Sequence, residues 1–93
     1  CAPAWMALVA EALSDGAVNL GMKRELTYPM IAALFEGMGE VLKNEHPSLL
    51  KDKVMSPAGT TVAGYAKLEE GGVRDSFIKA MEASFERAKS LGK

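Results

Sequence analysis

Between Tyr28 and Leu42 the chain carries more apolar surface than a chain of 93 residues can cover with its own elements. Tyr28, Ile31, Leu34, Phe35, Met38, Val41 and Leu42 recur at helical spacing. Together they make a stripe too broad for one small neighbouring helix. Ala32, Ala33, Gly37 and Gly39 add small residues that let another helix come close. A chain this short buries only roughly 60–70% of its unfolded surface. The stripe therefore predicts burial in a homodimer, where this helix of one protomer meets its counterpart in the other. Lys23, Arg24, Glu25, Glu36, Glu40, Lys43 and Glu45 read as a solvated face.

The rest of the chain reads as helices separated by short breaks. The first runs from about Pro3 to Leu20, with Pro3 in the first turn, where its missing N–H costs nothing. Trp5, Leu8, Val9, Ala12 and Leu13 form its apolar side. Gly21 reads as its terminator, and Gly16 as either a close-packing point or a weak spot. The second starts near Met22 to Arg24 and reaches about Asn44. Pro29 either kinks it or marks a first turn that begins near Thr27, which would then be the cap. His46-Pro47 ends it. A short third helix opens on Pro47 and carries Leu49, Leu50 and Val54 on its apolar side. The fourth runs from about Thr60 to Glu70 and closes at Gly71-Gly72. The fifth runs from about Val73 to Leu91, with Phe77, Ile78, Met81, Phe85 and Ala88 as its stripe and Asp75–Lys79 as an i,i+4 pair. There is no strand pattern, internal repeat or low-complexity linker. The fold class is all-α, with about five helices.

Composition excludes several roles. The formal net charge is −1, so there is no electrostatic footprint for nucleic acid. No apolar run approaches the roughly 20 residues that span a bilayer. The lone Cys1 cannot form an internal disulfide and fits a reducing compartment, hence a cytoplasmic location. The sole histidine, His46, has no Cys or His neighbour at ligand spacing, so both residues read as structural and no metal is expected. The chain begins on Cys1-Ala2-Pro3, already a helix start. This reads as a piece of something longer, with no signal peptide in view.

One stretch has polar groups and no apolar face to explain them: Lys51-Asp52-Lys53-Val54-Met55-Ser56-Pro57-Ala58-Gly59-Thr60-Thr61. Ser56-Pro57 opens a turn, and Gly59 admits backbone conformations closed to other residues. A helix N-terminus follows, with unpaired N–H groups and the positive end of a dipole, which suits a small carboxylate or phosphate. Thr60 or Thr61 can equally be a plain cap for the fourth helix. Spacing alone leaves both readings open.

The same stretch resembles the signature of the pyrroline-5-carboxylate reductases, a pattern close to Leu-Lys-Asp-x-Val-x-Ser-Pro-Gly-Gly-Thr-Thr. Here it runs from Leu50-Lys51-Asp52 through Val54 and Ser56-Pro57-Ala58-Gly59 to Thr60-Thr61. The likeness continues through Ala63-Gly64 and Leu68-Glu69-Glu70-Gly71-Gly72-Val73-Arg74. Upstream, Pro3-Ala4-Trp5, Glu11-Ala12-Leu13, Gly16-Ala17-Val18, Leu20-Gly21-Met22 and Arg24 also fit, so it covers nearly the whole chain. Two positions depart from the pattern. Ala58 stands where the family usually has glycine, and its Cβ is tolerable at a negative φ and obstructive otherwise; Ala2-Pro3 replaces Gly-Pro.

What the resemblance implies is a helical dimerisation domain of the 6-phosphogluconate dehydrogenase C-terminal-like type. An N-terminal Rossmann domain, absent from this chain, would bind NADPH or NADH. No Gly-x-Gly-x-x-Gly turn follows a strand here, so the cofactor site lies elsewhere. The substrate would be pyrroline-5-carboxylate, reduced to proline. By resemblance, Thr61 would hydrogen-bond the ring nitrogen, as the catalytic contact, and Val54 and Ser56 would line the pocket. N–H groups at Gly59, Thr60 and Thr61 would hold the carboxylate. With the family pattern included, the ligand loop outweighs the plain cap. The homodimer can assemble further, and this chain alone is expected to be inactive. Two other readings remain: an isolated helical dimerisation module without activity, and an unrelated helical ligand-binding protein. Failure to bind proline analogues would favour the first. A parent sequence without an upstream dinucleotide fingerprint would favour the second.

Overall fold

The computed structural model describes residues 1–57 and 59–92. Among them the chain is all-α, in five helices: α1 Ala2–Asn19, α2 Arg24–Leu42, α3 Pro47–Val54, α4 Thr60–Glu70 and α5 Val73–Leu91. Two compact units divide it, Cys1–Pro47 and Ser48–Lys93.

The first unit is a helical hairpin. α1 takes Cys1 as its N-cap residue and carries proline in its first turn. At its end Leu20 is the last half-helical residue and Gly21 follows at φ +106°. The Gly21 N–H bonds Val18 C=O at 3.0 Å, and the Met22 N–H reaches back to Ala17 C=O at 3.0 Å. That pair of bonds is a Schellman motif. It needs the left-handed residue that glycine supplies without a Cβ penalty, so Gly21 terminates α1 as its position predicts. A Cβ on Gly16 would meet nothing within 4 Å, so no other element among the described residues packs closely there.

α2 begins at Arg24, which settles the two options for Pro29: it lies inside the helix. Thr27 is therefore not a cap. Its Oγ1 donates to Arg24 C=O at 2.7 Å and stands 2.6 Å from Ser14 Oγ of α1. Thr27 has one hydroxyl proton, and it goes to Arg24 C=O, so Ser14 must be the donor in the bond between the two hydroxyls. Arg24 Nη1 in turn donates to Ser14 Oγ at 2.9 Å. The result is a closed ring from the Arg24 guanidinium through two hydroxyls to the Arg24 carbonyl. Ser14 is 0% and Thr27 2% exposed, so this polar ring, not an apolar cluster, is the driest point of the hairpin. The Arg24 side chain, which the sequence places on the solvated face, thus turns to α1. It also meets Asp15 Oδ1 at 2.6 Å, and that hydrogen bond raises the Arg24 pKa above its ordinary value.

Replacing Thr27 with valine keeps the shape and removes the acceptor of the Ser14 hydroxyl. A buried donor without a partner costs about 1–3 kcal/mol. Thr27→Val should therefore lower stability in chemical denaturation by that amount. Adding Ser14→Ala should recover part of it, because removing both partners is nearly neutral.

The broad stripe of α2 divides in two. Ile31 is buried, and Phe35, Met38 and Val41 are half-buried on the face that Thr27 turns to α1. Leu26, Met30 and Leu34 stand 54%, 60% and 51% exposed on another face. One hairpin partner covers one face only, so the excess width is real and stays open.

The second unit contains α4 and α5, packed on each other across a tight corner, and α3 from Ser48 on. Gly72 turns the corner at φ +79°. The Gly72 N–H bonds Glu69 C=O, and the Ser76 N–H bonds Gly72 C=O, so this residue ends one helix and starts the next. No residue of α3, α4 or α5 is buried. The α5 stripe lies open, with Ile78, Met81 and Phe85 52%, 61% and 65% exposed. Asp75 and Lys79 pair at 3.0 Å, as their spacing predicts.

Candidate functional site

All five residues singled out by the loop lie in the second unit, on the end of α3, the linking turn and the start of α4. Val54 is the last residue of α3 and is 56% exposed. The Gly59 N–H donates to Ser56 C=O at 3.1 Å, which closes the Ser56-to-Gly59 turn that Pro57 opens. Thr60 and Thr61 are the first two residues of α4. Ser56, Thr60 and Thr61 are exposed, and Gly59 is half-buried.

The geometry corrects three expectations. First, neither threonine caps α4. The N-cap residue is Gly59, at φ −82° and ψ 173°, and no side chain takes the capping bond. Second, the Gly59 N–H is not an unpaired donor in this structure, because it bonds Ser56 C=O. The N–H groups of Thr60 and Thr61 come ahead of the first helical bond, Ala63 N–H to Gly59 C=O at 3.2 Å. Third, glycine at 59 is not there for its dihedral freedom, since any residue adopts that backbone. It is there for space: a Cβ would stand 2.7 Å from Ser56 Oγ and 3.1 Å from Ser56 O. Whether the Cβ of Ala58 is tolerated or obstructive falls outside the described residues.

Gly59→Ala should therefore cost about 1–3 kcal/mol of stability as an overpacked contact. Adding Ser56→Ala removes the nearer clash, and denaturation of the double variant should show part of that loss restored.

Behind the loop lies a polar cluster that the sequence does not announce. Arg74, at the start of α5, donates from Nη2 to Tyr65 Oη at 2.8 Å and to Glu69 Oε2 at 2.8 Å. Its Nε also reaches both Glu69 oxygens, at 3.4 and 3.3 Å. The hydrogen bonds from Arg74 hold the Glu69 carboxylate below its ordinary pKa, and Glu69 raises that of Arg74. On the other side, Lys51 Nζ of α3 sits 5.6 Å from the centre of the Tyr65 ring. The one signal in the sequence was Arg74 following Glu69 five positions on across Gly71-Gly72, a spacing that means nothing until the corner is built. The same cluster edges an open, mainly apolar concavity of about 440 Å³ between α4 and α5 that includes Leu68, Phe77 and Ile78.

Among the described residues no group of three His, Cys, Asp or Glu side chains could hold a metal ion. No helix is long and apolar enough to cross a membrane.

Five helices in short succession, with apolar faces left open in both units, define an all-helical association domain. The family model described as pyrroline-5-carboxylate reductase dimerisation matches residues 1–91. The chain belongs to that family. It is 46% identical over 91 residues to a pyrroline-5-carboxylate reductase of Thermus thermophilus, covering 98% of this chain and 35% of that protein. It is 44% identical over 93 residues to the Synechocystis enzyme of the same name, with the same two shares. Among solved structures, the Plasmodium falciparum pyrroline carboxylate reductase with NADP bound superposes with a TM-score of 0.92 at 33% identity. That match covers 100% of this chain and 36% of the other. The Coxiella burnetii reductase gives 0.89 at 36% identity, covering 98% and 34%. The chain thus spans about a third of the length of the relatives it matches.

Proposed function

We propose that this chain is the C-terminal domain of a cytoplasmic pyrroline-5-carboxylate reductase, working as a homodimer and supplying the loop that holds the substrate. One observation carries the reading: α4 starts at Thr60 with no side-chain cap, directly after the turn that spells the family signature. An N-terminal Rossmann domain outside this chain holds the cofactor. The described residues contain no strand and so no strand–turn–helix cradle for a dinucleotide. NADH or NADPH supplies the hydride when bound there.

The substrate is a cyclic imine with a carboxylate. The N–H groups of Thr60 and Thr61, at the positive end of α4, hold that carboxylate without a bulky cation. Thr61 Oγ1 hydrogen-bonds the ring nitrogen and fixes which face of the imine carbon meets the incoming hydride. The carbon gains the hydride, the nitrogen gains a proton, and the C=N bond becomes a C–N single bond. Thr61 is a positioning contact here, since a hydroxyl is too weak an acid to drive the step at neutral pH. Val54 and Ser56 line the pocket.

The open faces support the dimer. Met30 and Leu34 in one unit and Met81 and Phe85 in the other leave large apolar side chains in water. The test is turnover: the complete protein should oxidise NADH or NADPH when pyrroline-5-carboxylate is added. Cofactor binding without substrate-dependent oxidation would contradict the assignment.

A further inference from the structure

We propose that Tyr65 is a positioning residue for the substrate loop, set by Arg74 on one side and by Lys51 on the other; the inference rests on the functional reading above.

Tyr65 lies four residues beyond Thr61, one turn on and on the same face of α4. Its two ends are held from two different helices. Arg74 of α5 donates to the hydroxyl at 2.8 Å while the Glu69 carboxylate fixes the guanidinium. Lys51 stands over the ring at 5.6 Å, within cation–π range. Lys51 belongs to the last turn of α3, the helix that delivers Val54 and then the Ser56 turn. The contact from Lys51 to Tyr65 therefore bridges α3 to α4 across the base of the loop that joins them.

Within the turn, the Gly59 N–H bonds Ser56 C=O. That bond fixes Ser56 against Gly59 but does not set α3 against α4. The Lys51–Tyr65–Arg74 bridge does, and so places Val54 and Ser56 relative to the Thr60 and Thr61 donors. Tyr65 need not touch the substrate. Losing the bridge loosens the frame, and small misplacements of positioning groups are costly to turnover.

The complete reductase carrying Tyr65→Leu tests this. Its KM for pyrroline-5-carboxylate should rise about tenfold, with KM for the nicotinamide cofactor unchanged. Lys51→Met should raise the same KM about threefold, and the double variant should be no worse than Tyr65→Leu alone, because both cut one bridge. Amide exchange over residues 55–61 should quicken in Tyr65→Leu. Tyr65→Phe, which keeps the ring under Lys51 and loses only the Arg74 bond, guards against misfolding of the leucine variant. It should fall between wild type and Tyr65→Leu in both readouts. Unchanged KM and exchange in a folded variant, additive effects of Lys51→Met and Tyr65→Leu, or an equal rise in both KM values would overturn the inference while wild-type turnover still supports the functional reading. An inactive wild-type reductase would overturn both.

Discussion

Leu34→Glu is expected to split the dimer while leaving the hairpin of α1 and α2 folded. Leu34 is 51% exposed in the single protomer, so a carboxylate there costs the protomer little. In the proposed dimer the same charge would be buried without a partner, which costs about 3–5 kcal/mol. That weakens association by roughly two to three and a half powers of ten. The choice of position matters. The sequence stripe points equally to Phe35 and Met38, but both are half-buried within the protomer. A charge at either would damage the hairpin and the interface together. Met30, 60% exposed, is a second clean probe. Light scattering should show a monomer for either glutamate variant with helical circular dichroism retained. A dimer as tight as wild type would remove this face of α2 from the interface.

Thr61→Ala is expected to lower catalytic efficiency of the complete reductase roughly 5- to 150-fold, the equivalent of one hydrogen bond at about 1–3 kcal/mol. Thr60→Ala keeps its backbone donor and should cost much less. Thr61→Ser keeps the hydroxyl and should lie between them. The structure sharpens this comparison. Neither threonine makes a capping bond to α4, so the stability loss that usually accompanies removal of a cap is not expected for either variant. An activity loss without a change in melting temperature would then belong to the ligand contact. A Thr61→Ala enzyme that folds and turns over like wild type would remove the hydroxyl from the site.

The helices were legible because their punctuation is local. Gly21, His46-Pro47, Ser56-Pro57 and Gly71-Gly72 act through φ restrictions and missing donors that a sequence displays directly. The bounds of α4 and α5 follow from those marks alone. The turn at Ser56 was legible for the same reason, and its family pattern was legible as a string. What the string could not give was the use of each donor. Whether the Gly59 N–H faces a ligand or closes the turn depends on where Ser56 C=O points, and that is a three-dimensional fact. The Ser14–Thr27–Arg24 ring was hidden likewise. Nothing in the spacing of two hydroxyls on different helices says that they meet. A cap at Thr27 was one of the two readings the sequence left open, because caps are what threonine near a helix start most often makes, and here α2 begins three residues earlier. The split of the α2 stripe into a covered and an open face also needed the hairpin partner in place.

Sedimentation of this chain at micromolar concentration, with circular dichroism on the same sample, decides whether two copies pair through these faces. A helical species of twice the 9.9 kDa chain mass is expected, because the open faces of α2 and α5 need a second copy to cover them. A helical, well-folded monomer of 9.9 kDa would contradict it.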